Sequence, residues 1–174
     1  MRNIVFVGLM GAGKTTVGKR LAKCHGLPFL DTDHEIESRC GATVATIFDL
    51  EGEEGFRRRE SRVIADVMGL VGHVITTGGG AVLRDENRRE LKKGFVIYLD
   101  ADPEQLWLRL KTDSSRPLLS QSPDPRATLV ALHVQRDPLY RSIADLVVPT
   151  TRSSVSAVMR RIEDGLHQAE VLTS

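Results

Sequence analysis

Several features are scarce in this 174-residue sequence, and each scarcity excludes a class of protein. The formal net charge is only +1, whereas proteins that bind duplex nucleic acid usually carry a clear basic excess. The two cysteines, Cys24 and Cys40, form no CxxC pair and have no matching histidine cluster. We therefore expect them to be reduced and partly buried, with no disulfide and no cysteine metal site.

Long apolar runs are also missing. The run "IVFVGL" near the start is too short for a signal-peptide core or a membrane span, and "VIADVMGLVGHVI" is interrupted by Asp66 and His73. We expect a cytoplasmic protein that acts on a small molecule and has neither a nucleic acid nor a membrane as its partner.

Five short apolar runs alternate with segments of helical spacing. The predicted strands are "NIVFVGL", "LPFLD", "HVITT", "GFVIYLD" and "DLVVP", because buried parallel strands are continuous apolar runs. Helices are predicted over residues 14–26, 33–39, 44–50, 55–68, 85–93, 102–111, 127–136 and 155–167. The alternation predicts one α/β domain over residues 1–174, with a parallel sheet covered on both faces. The final "EVLTS" is expected to be frayed.

Residues 8–15, "GLMGAGKT", match the phosphate-binding pattern GxxxxGK[ST] without a mismatch, between a predicted strand and a predicted helix. Glycines allow several backbone N–H groups to point at one anion, and the start of the helix adds partial positive charge. The side chain of Lys14 can reach the β- and γ-phosphates, and the Thr15 hydroxyl can ligate Mg²⁺. The residues expected at the nucleotide phosphates are Gly11, Ala12, Gly13, Lys14, Thr15 and Thr16.

Polar clusters after the second and third predicted strands could bind a second substrate. Asp31 and Asp33 end the second strand, at the sheet edge where ligands bind in open α/β folds. The alternative is that Asp33 only caps the helix that follows. Three glycines, residues 78–80, follow the third strand and indicate either close backbone approach to a ligand or a plain turn.

The segment "GEEGFRRRE" carries three consecutive arginines on a predicted helix. Arg57 and Glu60 share one face of this helix, so Glu60 could hold Arg57 in place to bind a carboxylate with two hydrogen bonds. Arg58 and Arg59 are better explained as a solvated, ion-paired face.

A regulatory GTPase is an alternative from a different class, because residues 49–52 match its DxxG pattern. Those residues lie inside a helical pattern, and the chain has no Asn-Lys-x-Asp run to select guanine. We therefore interpret Asp49 as an ordinary residue on a helix surface.

The ordered motifs "GLMGAGKTT", "DTDHEIE", "IFDLEGEEGFRRRE", "TTGGGAV", "SSRPLL" and "RDPLYRSIAD" make the sequence resemble the shikimate kinase family over almost its whole length. The resemblance implies a three-layer α/β/α P-loop kinase fold with a five-stranded parallel sheet. It implies a substrate-binding region near residues 32–60 and a mobile lid near residues 111–125. It also implies transfer of the γ-phosphoryl group of ATP to the 3-hydroxyl of shikimate, in the biosynthesis of aromatic amino acids. A free-standing enzyme, rather than part of a longer multi-enzyme chain, is expected.

The resemblance also implies roles for individual residues. Lys14, Asp31, Asp33 and Arg116 are expected to be catalytic, with Arg116 on the lid. Glu60 is expected to orient Arg57, and one Mg²⁺ per subunit to be bound by Thr15 and, through water, by Asp31. Shikimate is expected to contact Asp33, Arg57, Gly79, Gly80 and Arg136. Besides the residues at the phosphates, ATP is expected to contact Arg109, Arg116 and Arg152.

Alternatives remain for these residues and for the function. Arg136 could cap a helix that ends before Pro138, Arg116 could be a solvated loop residue, and Ser153 could replace Arg152 at the adenine. A gluconate or nucleotide kinase on the same fold, or an ATP-dependent sensor without catalysis, are the competing functions. We expect the protein to be a monomer.

Overall fold

The computed structural model describes residues 1–111 and 117–172. The strands are β1 (Ile4–Val7), β2 (Phe29–Asp31), β3 (Val74–Thr76), β4 (Phe95–Asp100) and β5 (Leu146–Pro149). The described helices are α1 (Lys14–His25), α2 (Thr32–Cys40), α3 (Val44–Met68), α4 (Asp85–Leu91), α5 (Pro103–Leu110), α6 (Pro117–Ser120), α7 (Pro125–Ile143) and α8 (Val155–Gln168). All five predicted strands are therefore confirmed, and so is the alternation with helices.

The strands form one parallel sheet in the order β2-β3-β1-β4-β5. All four residues of β1 have 0% exposure. Because successive side chains of a strand point to opposite faces, helices must cover both faces of the sheet, as predicted. The carboxyl ends of β1, β2 and β3 lie side by side, so the segments that follow them meet at one edge.

Local signals place most helix ends where the sequence predicts them. Gly26 ends α1 with φ 62°, a left-handed conformation that glycine adopts without a steric penalty. Asp102 caps α5 and Pro103 occupies its first turn. The predicted helices 44–50 and 55–68 are both present, joined as α3 across a break at Gly52, where φ is 70° and ψ is 178°.

Three expectations are wrong. The helix predicted over residues 127–136 begins at Pro125, behind an Asp124 cap, and continues through Pro138 to Ile143. Arg136 therefore does not cap a helix end. Val171 and Leu172 of the tail are buried rather than frayed, at 8% and 7% exposure, and Cys24 is exposed rather than partly buried.

Among the described residues, no helix has both the length and the apolar character needed to cross a membrane.

Candidate active site

The loop between β1 and α1 forms the predicted cradle for phosphates. Gly11 and Gly13 have φ angles of 78° and 96°, so both positions favour glycine. Gly13 caps α1 without a side-chain hydrogen bond, so the N–H groups of the first turn are available to bind an anion. Lys14 is buried and donates hydrogen bonds from Nζ to the carbonyl oxygens of Gly8 and Leu9, at 2.6 and 2.8 Å. This arrangement places an ammonium group among the loop atoms.

A cleft of about 1080 Å³ opens from this loop and extends along the carboxyl edge of the sheet. It is wide enough for a nucleotide and a second small molecule. Its lining includes residues 10–17 of the loop and of α1, and it includes Asp31, Asp33, Arg109 and Ser153.

Asp31 lies at the junction of three elements beside the cradle. Its Oδ2 accepts hydrogen bonds from Thr15 Oγ1 at 3.2 Å and from Thr76 Oγ1 at 2.7 Å. Its Oδ1 accepts from the backbone N–H of His34, so Asp31, and not Asp33, caps α2. Hard oxygen atoms beside a phosphate cradle are the ligands that Mg²⁺ prefers, so the side chains present fit this ion.

A smaller cavity of about 60 Å³ adjoins the cleft. It contains every residue that the sequence predicts for the second substrate, and those residues come from α2, α3, the triple-glycine turn and α7. The residues that line it include Asp33, Phe56, Arg57, Glu60, Gly78, Gly79, Gly80 and Arg136. The carboxylate of Asp33 lies against the turn, because a Cβ atom built on Gly78 would be 2.7 Å from Asp33 Oδ1.

Arg57 and Glu60 form the predicted pair inside this cavity. Arg57 Nη1 donates to Glu60 Oε1 at 2.9 Å, and a longer contact of 3.4 Å joins Arg57 Nη2 to Glu53. A Cβ atom on Gly80 would overlap the guanidinium of Arg57, so a side chain at this turn position would displace that guanidinium. Burial raises the pKa of Glu60 to about 7, although the charge of Arg57 opposes the rise.

Arg136 is the second buried arginine of the cavity, with 2% exposure. Burial lowers the pKa of Arg136, and the nearby charge of Arg57 contributes to the lowering. Within residues 1–111 and 117–172, no carboxylate lies within 4 Å of its guanidinium, and its Nε has no hydrogen-bond partner. A buried guanidinium without a counter-ion is costly, so this cavity is suited to an anion.

The remaining predicted residues lie at the other end of the cleft or outside the described residues. Arg109 on α5 donates from Nη1 to the Gly11 carbonyl at 2.9 Å. Ser153 lines the cleft, whereas the exposed Arg152, with φ 55°, is not among the described lining residues. Arg116 lies outside the described residues. Arg59 pairs with Glu51 on the surface, as the interpretation of Arg58 and Arg59 as a solvated, ion-paired face predicts.

Two groups of residues were not identified by sequence reasoning. The buried Tyr140 contacts the triple-glycine turn, and the available signals were its place in the motif "RDPLYRSIAD" and its position four residues after Arg136. Asp100, His133 and Asp137 also lie close enough together to hold a metal ion. Arg141 already pairs with both carboxylates, at 2.6 and 2.9 Å, so we interpret this group as an ion-pair network.

Comparison with known proteins identifies the family. A family model described as shikimate kinase matches residues 10–167. The chain belongs to the shikimate kinase family. It is 51% identical over 171 residues to the shikimate kinase of Burkholderia thailandensis, a match that covers 98% of this chain and 92% of that protein. The protein is accordingly an ATP-dependent phosphotransferase that acts on a hydroxyl group of shikimate.

Solved structures agree with this assignment. A shikimate kinase from Acinetobacter baumannii in complex with shikimate superposes with a TM-score of 0.93 at 42% identity, covering 99% of this chain and 96% of that one. A gluconokinase from Sinorhizobium meliloti superposes with a TM-score of 0.64 at 18% identity, covering 97% of this chain and 93% of that one. The second likeness shows the shared P-loop kinase fold alone.

Proposed function

We propose that the protein transfers the γ-phosphoryl group of ATP to the 3-hydroxyl of shikimate, giving shikimate 3-phosphate and ADP. One observation supports this reaction most directly: Arg136 is buried beside Arg57 in a small cavity next to the phosphate cradle, and no carboxylate of residues 1–111 and 117–172 pairs with it. A carboxylate of the substrate would neutralise these guanidinium groups and accept paired hydrogen bonds from them. Gly79 and Gly80 would let a substrate ring approach the backbone closely.

At the nucleotide, the proposed roles follow from the cradle. The N–H groups of residues 11–16 and the ammonium of Lys14 would hold the phosphates, and Arg109 would contact the nucleotide near the adenine. Thr15 would ligate Mg²⁺, and Asp31 would hold one of its water molecules. The ion would supply charge neutralisation at the phosphates when bound.

At the acceptor, Asp33 would orient the 3-hydroxyl and take its proton as the bond from oxygen to phosphorus forms. Phosphoryl transfer depends chiefly on such positioning and on charge stabilisation. Arg116 is assigned to the transferring phosphoryl group by the family resemblance, and closure of a lid near residues 111–125 would exclude water. The adenine contact assigned to Arg152 is the weaker of two choices, because Ser153 lines the cleft.

We further propose that residues 1–174 act as one domain, as a monomer, in the cytoplasm. The continuous core across the sheet supports the single domain. The proposal of a cytoplasmic location rests on the two unpaired thiols.

The reaction is tested by measuring ADP release from Mg-ATP in the presence of one acceptor at a time: shikimate, gluconate or a nucleoside monophosphate. We expect release with shikimate alone. Lys14→Ala should abolish this turnover, while Lys23→Ala, on the exposed last turn of the same helix, should retain it. Release with gluconate or a nucleotide would favour the rival kinases, and no release with any acceptor would favour a sensor.

A further inference from the structure

The hydroxyl of Tyr140 connects α7 to the triple-glycine turn. Its Oη donates a hydrogen bond to the carbonyl oxygen of Gly79 at 2.5 Å. Tyr140 has 0% exposure, and Gly79 is half-buried at the edge of the two cavities. Within the described residues, no second donor to the Gly79 carbonyl is found. Removing this donor would leave the Gly79 carbonyl oxygen without this hydrogen bond.

Gly79 also lies against Arg136. A Cβ atom built on Gly79 would be 3.2 Å from Arg136 Nη1, so the guanidinium packs directly on this backbone. Arg136 and Tyr140 are four residues apart on α7 and therefore share one helix face. Burial raises the pKa of Tyr140, and the adjacent guanidinium of Arg136 opposes the rise without cancelling it. The phenol therefore stays protonated and remains a donor at neutral pH.

The ring of Tyr140 is held by the sheet. It packs on Tyr98 of β4 with the ring centroids 4.9 Å apart and the planes inclined by 33°. Both tyrosines are essentially buried, at 0% and 1% exposure. The hydroxyl of Tyr140 consequently extends from a ring that the core already orients, which makes it a well-ordered donor.

We propose that Tyr140 is a positioning residue of the substrate site, and that its hydroxyl holds the Gly79 carbonyl so that the turn and the Arg136 guanidinium keep the spacing that a substrate carboxylate requires. This inference rests on the proposed function. Tyr140 need not touch the substrate, because it acts through Gly79 and Arg136. The hydrogen bond from Tyr140 to Gly79 lies beside the cavity proposed for shikimate, which we call the acceptor half of the site. Its loss should therefore weaken shikimate binding and leave ATP binding unchanged.

The test removes the hydroxyl and keeps the ring. In Tyr140→Phe we expect the KM for shikimate to rise about tenfold, because one hydrogen bond that positions the substrate site is lost. The KM for ATP should change by less than about twofold. A shikimate KM equal to that of the wild type would overturn the proposal, as would an equal rise in both KM values.

Tyr98→Phe is the matched control, since it removes a buried hydroxyl from the other ring of the same stacked pair. Tyr98 Oη donates to Asp137 at 2.8 Å and lies 3.3 Å from Asp100, and neither acid is among the described residues lining the two cavities. Asp137 also keeps its contact with Arg141. We expect the shikimate KM of this variant to stay within about twofold of the wild type. If both variants raised it equally, the effect would come from general packing of α7, and the positioning role would be wrong.

A second readout does not require turnover. Shikimate should raise the unfolding temperature of the wild type and of Tyr98→Phe, and should raise it clearly less for Tyr140→Phe at the same concentration. An equal rise in all three proteins would contradict the proposal. If the wild type itself neither bound nor phosphorylated shikimate, the proposed function would fail. If the wild type were active and Tyr140→Phe had the same shikimate KM and the same rise in unfolding temperature, only the positioning role would be wrong.

Discussion

At the scale of single residues, the two buried arginines of the site differ in their surroundings. Arg57 has the carboxylate of Glu60 at 2.9 Å, whereas no carboxylate of the described residues pairs with Arg136. An unpaired buried charge is costly to keep, and a protein that keeps one gains a strong site for an anion of complementary shape. The sequence could indicate the Arg57–Glu60 pair by spacing, but the burial of Arg136 depends on packing that spacing does not describe.

The bidentate role of Arg57 leads to the first prediction. Arg57→Lys keeps the positive charge beside Glu60 and removes the planar fork. We expect the KM for shikimate to rise by at least about tenfold, because a charge-assisted hydrogen bond to the carboxylate is lost, with little change in the KM for ATP. Steady-state kinetics with each substrate varied in turn measures both values. Arg58→Lys, at the exposed neighbouring position, is the control, and an equal effect on both KM values would refute the carboxylate contact.

Glu60 gives the second prediction, on the pH dependence of stability. Its pKa in the folded protein is about 7, raised from an ordinary value of 4.5 mainly by burial. The folded state therefore binds this proton more tightly than the unfolded state. The resulting stabilisation is present below about pH 4.5 and is lost as the pH rises through 7.

We expect Glu60→Gln to flatten this dependence, because glutamine does not titrate. The difference between the two pKa values corresponds to a loss of up to roughly 3 kcal/mol in the wild type between pH 5 and pH 8. Urea unfolding of both proteins at the two pH values measures it. Parallel changes in the two proteins would show that Glu60 does not titrate in this range.

At the scale of elements, α3 shows how one glycine positions a site. Gly52 interrupts the helix with φ 70° and ψ 178°, a combination that is essentially restricted to glycine. The second part of the helix then carries Arg57 and Glu60 into the cavity at the end of the sheet. The sequence predicted two helices here, and the break lies in the interval between them.

The third prediction concerns this break. Gly52→Ala should lower the free energy of unfolding by about 1–3 kcal/mol, because alanine is strained at this backbone conformation. Gly69→Ala, where φ is −73° and ψ is −15°, should cost less than about 1 kcal/mol. Urea unfolding curves compare the two variants. A cost at position 52 no larger than that at position 69 would mean that the break is not constrained to glycine.

Helix α7 shows where local sequence signals fail. Proline removes one helical hydrogen bond and crowds the preceding turn, which predicts an end before Pro138. The helix nevertheless continues to Ile143, because Tyr140 and Ile143 of its last turns are buried in the core. Tertiary contacts of this kind override local propensity, and they cannot be read from one sequence. The role that we infer for Tyr140 depends on this continuation.

At the scale of the whole molecule, the sheet gathers segments that are far apart in the chain. The phosphate loop follows β1, Asp31 ends β2 and the triple-glycine turn follows β3, and these strands are neighbours in the sheet. Motif spacing, and the position of each motif at the end of a predicted strand, therefore predicted the two halves of the site. Contacts between the halves, such as Thr76 with Asp31 and Tyr140 with Gly79, depend on register and packing and were not predicted.

The last prediction concerns a ligand that contacts several of these segments. Shikimate bound between α2, α3, α7 and the triple-glycine turn would bind only the folded state and would therefore stabilise it. At a concentration of one hundred times its Kd, shikimate should raise the free energy of unfolding by about 2.7 kcal/mol. For a domain of this size the unfolding temperature should rise by about 5–10 °C. Calorimetry without nucleotide measures the effect of shikimate binding alone.

Gluconate at the same concentration is the control, since it is a carboxylate without the cyclic ring. Arg57→Lys should lose about half of the shift produced by shikimate or more, because a Kd at least about tenfold higher leaves the same ligand concentration at about ten times Kd or less. An equal shift with gluconate would show that the cavity selects a carboxylate and not shikimate.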